Sequence, residues 1–260
     1  MTSPTNLKAF LDERAAFYNS PKFITGDPVS VPHLFTKKED IEIAGFLAAI
    51  IAWGRRSTIV ANASRLVQWM DHAPHQFIQN FTSRDLDPFR HFVHRTFNGD
   101  DCEYFMWSLK NIYQNHGGLE QAFNSEIGKN SHQVKNAIER FRNVFLEPDH
   151  LPRTEKHLAS PAKKASAKRI NMFLRWMIRK DENGVDFGIW NIFSPAQLIC
   201  PLDVHVAAVA RKLGLLRRKA NDWQAAEELT ANLRKLDPAD PVKYDYALFG
   251  MGIFEGMGKS

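Results

Sequence analysis

The spacing of apolar residues constrains this chain most: they recur at steps of three and four, and nowhere alternate long enough to make a strand. Ile41, Ala44, Gly45, Ala48, Ile51 and Ala52 mark one helical stripe. Ile59, Ala63, Leu66, Val67 and Met70 mark a second over Thr58 to Met70, with Ser57 expected as its N-cap. The two helices are expected to pack, joined at Trp53-Gly54-Arg55-Arg56. Further helices are expected over Asp101 to Asn115, stopping at Gly117-Gly118, and over Ser131 to Phe145, stopping before Pro148. An all-α fold follows, and 260 residues are ample for a buried core.

Pro148, Pro152 and Pro161 make Glu147 to Pro161 the clearest internal linker, so a single helical domain with two lobes is expected, about 1–150 and 151–260. Beyond it, Ile170, Phe173, Leu174 and Met177 predict an amphipathic helix from Lys168 to Lys180. An irregular connection through Gly184, Gly188, Pro195 and Pro201 leads to Asp203. That aspartate is placed to cap a helix with Val206, Val209, Ala210 and Leu213 inside and Gly214 as its stop. Asp222 and Asp240-Pro241 read as caps of two more helices, the last ending near Gly250.

Charge narrows the partner. Lys and Arg exceed Asp and Glu by 34 to 29, a formal +5, and the excess is concentrated. Arg153, Lys156, Lys163, Lys164, Lys168, Arg169, Arg175, Arg179 and Lys180 stand against Glu155 alone, enough to neutralise several phosphates; a solvated surface run is the competing reading. With only Cys102 and Cys200, neither a disulfide scaffold nor a four-cysteine metal site can be built, and a reducing cytoplasm is the natural compartment. The first ten residues lack a secretory pattern and no apolar run approaches the roughly 20 residues of a membrane span. A cytoplasmic protein, nucleoid-associated if it binds DNA, is expected.

Two stretches carry chemistry: Ser166-Ala167-Lys168-Arg169-Ile170-Asn171, and Pro201-Leu202-Asp203-Val204-His205-Val206 running on to Arg211-Lys212-Leu213-Gly214-Leu215. Here the sequence resembles the helix-hairpin-helix DNA glycosylases and AP lyases. In that superfamily a lysine opens the helix after the hairpin, and an aspartate opens the next helix within a phrase of this kind. The resemblance implies a catalytic pair, Lys168 and Asp203. At 35 positions their separation is nearer the archaeal 8-oxoguanine glycosylase branch than the compact endonuclease III pattern.

Excising a base makes the sugar C1′ cationic, and a fixed carboxylate stabilises that charge. A neutral lysine amine can then attack C1′ and form a Schiff base. Each residue also has a plainer reading: Asp203 as a helix cap, which is compatible with catalysis, and Lys168 as a surface lysine with Lys163 and Lys164 as rivals. The family's hairpin carries Gly-x-Gly, whereas His157 to Lys168 has no glycine; Ser160, Pro161, Ala165 and Ser166 stand where glycines are expected.

DNA contacts are assigned to Lys163, Lys164, Ser166, Arg169, Arg55, Arg56 and His205, the last also reading as a structural histidine. A base flipped out of the stack needs an aromatic wall. Trp53 and Phe249 are the candidates, and both also read as core aromatics. The implied partner is double-stranded DNA containing a damaged base or an abasic site. No cofactor, metal or obligate protein partner is implied, and no phosphate-binding loop or dinucleotide fingerprint is present.

The whole chain also resembles a bacterial family of about this length with no assigned reaction, most recognisably over Phe35 to Ala49 and Pro241 to Gly250. Two further readings stay open: a non-catalytic helix-hairpin-helix nucleic-acid-binding module, and a helical protein-interaction domain.

Overall fold

The computed structural model describes residues 6–124 and 133–258, and every regular element in them is helical. The chain opens with α1 (Leu7–Tyr18) and the short α2 (Pro21–Ile24). Seven helices make its middle: α3 (Lys38–Ile50), α4 (Arg56–Gln68), α5 (Pro74–Asn80), α6 (Asp87–Arg90), α7 (Gly99–Asn115), α8 (Leu119–Phe123) and α9 (Gln133–Phe145). Four close it: α10 (Lys168–Ile178), α11 (Val204–Lys212), α12 (Trp223–Leu236) and α13 (Tyr244–Ile253). The Ser131 start expected for α9 lies outside the described residues.

Packing divides the chain into two compact units, one of Ile24–Ala159 and one joining the residues up to Phe23 with those from Ser160 onward. The boundary expected from the prolines, near 150, differs for a physical reason. Pro152–His157 is a 3-10 helix whose Thr154 and His157 are buried and bound to Asp101, so this segment stays with the middle unit.

In the middle unit α3 is not a one-sided stripe: every residue from Ile41 to Ile51 is buried, Glu42 included. A helix buried all round sits inside a core, and α3 meets an aromatic cluster there. Phe46 lies 6.0 Å from Phe105 and 5.4 Å from both Phe141 and Phe145, while Phe123 stacks on Phe141 at 4.0 Å. Burying each such ring contributes roughly 1.5–3 kcal/mol.

α4 buries the expected Ile59, Ala63, Leu66 and Val67, but Arg55, not Ser57, occupies its N-cap and offers no side-chain cap. α7 starts two residues earlier than expected, at Gly99, because Asn98 and Asp101 form a reciprocal capping box. Asp101 is therefore the third residue of the helix rather than its start.

The other unit is organised by α13, which packs on α1 and α11. Gly250 makes the first of these approaches possible: a Cβ there would lie 2.3 Å from the Tyr18 ring. Tyr18 stacks on Phe254 and donates to Glu255 Oε1 at 2.8 Å, while Tyr244 donates to Asp12 at 2.8 Å. α10 buries Ile170, Phe173, Leu174 and Met177, and α11 buries Val206, Val209 and Ala210, as their spacing predicts. Asp222 caps α12 directly, whereas Asp240 caps the 3-10 turn Pro241–Lys243 that feeds α13, which runs on to Ile253.

Candidate lysine–aspartate site

The approach to α10 is a tight turn. Lys163 and Ala165 amides donate to Ser160 O, and the Lys164 amide to Pro161 O; Lys164 O in turn accepts from the Trp223 amide at 3.0 Å. Two residues hold left-handed backbone, Lys164 (φ 68°) and Ala167 (φ 50°). These are the positions where glycine would relieve strain, rather than Ser160, Pro161, Ala165 or Ser166. Lys163 and Lys164 are exposed at the tip.

Ser166 does not point outward. Its hydroxyl donates to Leu202 O at 3.3 Å, tying the start of α10 to the residue before Asp203. This tie brings the two chemical residues together. Asp203 divides its oxygens: Oδ1 accepts from the His205 and Val206 amides at 2.9 and 3.0 Å, and Oδ2 lies 3.8 Å from Lys168 Nζ. Helix cap and lysine partner are thus one side chain. Both side chains keep 22% of their surface open, so the pair can be reached from solvent.

Phe249 stands beside the pair, its ring 6.0 Å from Lys168 Nζ and 6.3 Å from Phe23. Arg169 is half-buried, and loss of solvent pulls its pKa down to about 10, still charged at neutral pH. His205 packs against Gly252 in α13 and Gly258 beyond it: its Nδ1 is buried without a hydrogen-bond partner, and a Cβ on Gly258 would lie 3.0 Å from it. The packing fits its reading as a structural histidine.

Beneath the pair lies a buried ionic network that sequence reasoning missed. Arg175 binds Asp245 and, at 3.3 Å, Asp186; Arg179 binds Asp186 at 3.1 Å and Asp240 at 2.8 Å. Both arginines are buried, so they cannot neutralise phosphates as the charge count suggested. Burial raises the Asp245 carboxyl to about 6, against the pull of Arg175 and Lys168 and with the push of Asp203. The signal was present: Lys168 and Arg175 are seven apart, and Asp245 and Phe249 four apart, each pair on one helical face. Cys200 is fully buried close by, and desolvation drives its thiol pKa well up, away from reactivity.

The remaining assigned residues belong to the middle unit. Trp53 is half-buried, edge-on to His94 at 4.8 Å and stacked near His157 at 6.1 Å. Arg55 is exposed. Arg56 is paired with Asp27 at 2.8 Å and keeps 31% of its side chain exposed. Arg153 is likewise held by Asp101, at 2.9 Å.

Among the described residues, no helix is long and apolar enough to cross a membrane. No curated protein and no solved structure matches the chain. Residues 27–254, which include Lys168, Asp203, Asp245 and Phe249, match the model of a family described as a protein of unknown function, DUF2400, and the chain belongs to that family.

Proposed function

We propose that the protein is a helix-hairpin-helix DNA glycosylase with AP-lyase activity, two-lobed as its superfamily is, acting on a damaged base, with oxidised purines the first class to test. The observation that carries the reading is the approach of Lys168 Nζ to Asp203 Oδ2 at 3.8 Å, both partly open to solvent. Asp203, fixed by two amides, would stabilise positive charge developing at C1′ as the bond to the base breaks. Lys168 would attack C1′ as the neutral amine, the departing base would take a proton, and ring opening would leave a Schiff base. Loss of a 2′ proton then expels the 3′ phosphate and cuts the strand. Phe249, its ring 6.0 Å from Lys168 Nζ, would wall one side of the reacting nucleotide.

Incubation with 8-oxoguanine or abasic duplex and borohydride should trap a covalent adduct with the wild type and none with Lys168→Gln. Asp203→Asn keeps an equally good helix cap, so it should lose activity at an unchanged melting temperature. No adduct on a broad lesion panel defeats the proposal. A second reading, a non-catalytic nucleic-acid-binding module, is favoured by the exposed Lys163 and Lys164 at the turn. It requires salt-sensitive binding without lesion preference and indifference to Asp203→Asn.

A further inference from the structure

Three segments of the middle unit converge around Trp53. His94 and Phe97 exchange backbone hydrogen bonds at 2.8 and 3.0 Å, closing a two-residue turn with Arg95 and Thr96 at its tip. Such turns demand positive φ at their first tip residue, and Arg95 takes it at 57°, an uncommon conformation for a residue with a long side chain.

The turn is held from both sides. His94 Nε2 donates to Trp53 O at 3.1 Å and Asn62 Nδ2 to His94 Nδ1 at 2.9 Å, while Arg153 Nη2 donates to Thr96 O at 3.1 Å. Arg95 lays its guanidinium on Gly54, itself at φ 106°; a Cβ on that glycine would stand 3.0 Å from Arg95 Nη1. Arg55 follows directly, exposed, and Lys156 is exposed on the residue before His157. Among the described residues neither Arg55 nor Arg95 forms an ion pair, and both are exposed.

We infer that Arg95, with Arg55 and Lys156, forms a cationic ledge that grips the phosphate backbone of duplex DNA. Guanidinium and hydroxyl groups on a turn tip whose backbone is anchored suit phosphate oxygens. The left-handed tip sets the Arg95 side chain alongside Gly54, next to Arg55. The ledge lies in a different unit from Lys168, and the inference rests on the proposed glycosylase function only for its choice of partner.

The test is fluorescence anisotropy of a labelled, undamaged duplex titrated with the full chain over a range of salt. Arg95→Gly removes the cation while suiting the left-handed backbone, so it should melt no lower than the wild type. It should also bind more weakly, with the log–log salt slope reduced by about 0.9 for each phosphate left unneutralised. Arg55→Ala should act in the same direction, the double variant should add the two effects, and Arg95→Lys should keep most of the slope. An Arg95→Gly, Arg55→Ala chain with wild-type affinity and slope overturns the ledge. Borohydride trapping, run alongside, separates the two ideas: a reduced slope with no adduct from the wild type keeps the ledge and removes the catalytic reading, and an adduct with an unchanged slope does the reverse.

Discussion

Asp245 is an acid kept where acids are costly. It is buried on α13 against Arg175, and its carboxyl titrates near 6 in place of the ordinary 3.8 because burial outweighs the neighbouring cations. The folded chain therefore holds this proton more tightly than the unfolded chain does. Its contribution favours folding fully below about pH 3.8 and is lost as pH rises through about 6. Urea unfolding of the wild type and Asp245→Asn at steps between those limits should show the wild type's relative stability falling with pH, on the order of 3 kcal/mol in all. A flat difference would mean the site is wetter than the packing shows. At this scale the sequence was a partial guide. Lys168 and Asp203 were legible as helix starts because each phrase is local; the ion-pair partners of Arg56 and Arg175 were not, because Asp27 and Asp245 stand 29 and 70 positions away.

Helices were the more readable level. The stripes of α4 and α11 were predicted because each has one wet face, so periodicity and burial coincide; α10 was read as amphipathic, yet Phe173 to Ile178 are all buried, Arg175 among them. α3 was understated, since a helix enclosed on all sides has no polar face to mark its period. The start of α4 was misplaced because Ser57 has the chemistry of a cap, yet the backbone turns at Arg55. Least readable was the seat of α1, which depends on what Gly250 lacks. Adding one methyl there drives a Cβ into the Tyr18 ring, and overpacking of this kind typically costs about 1–3 kcal/mol. Gly250→Ala should lower the melting temperature accordingly and quicken proteolysis within α1; Tyr18→Ala should relieve most of the clash when added to it. Additive losses in the double variant would refute that pairing.

For the molecule as a whole, the organisation is discontinuous: α1 belongs with α10 to α13, while Ile24–Ala159 has its own core. Pro148, Pro152 and Pro161 announced a division, but composition cannot say that the first helix returns to the last, since nothing in α1 names its distant partner. Deleting the residues up to Phe23 should bare the α13 face around Gly250 and speed amide exchange in α11 and α13. Exchange in α3 and α7 should stay near wild type; uniform loosening would show that the two cores are not separable.

This arrangement sets an order of events at the ribosome. Asp12 and Tyr244, bonded in the finished molecule, are 232 positions apart, so the amino-terminal helix emerges long before anything it can dock on has been translated. The middle of the nascent chain can settle first, while α1 stays unclaimed until α13 has left the exit tunnel. The terminal unit, with Lys168 and Asp203 in it, therefore matures only after α13 has been translated.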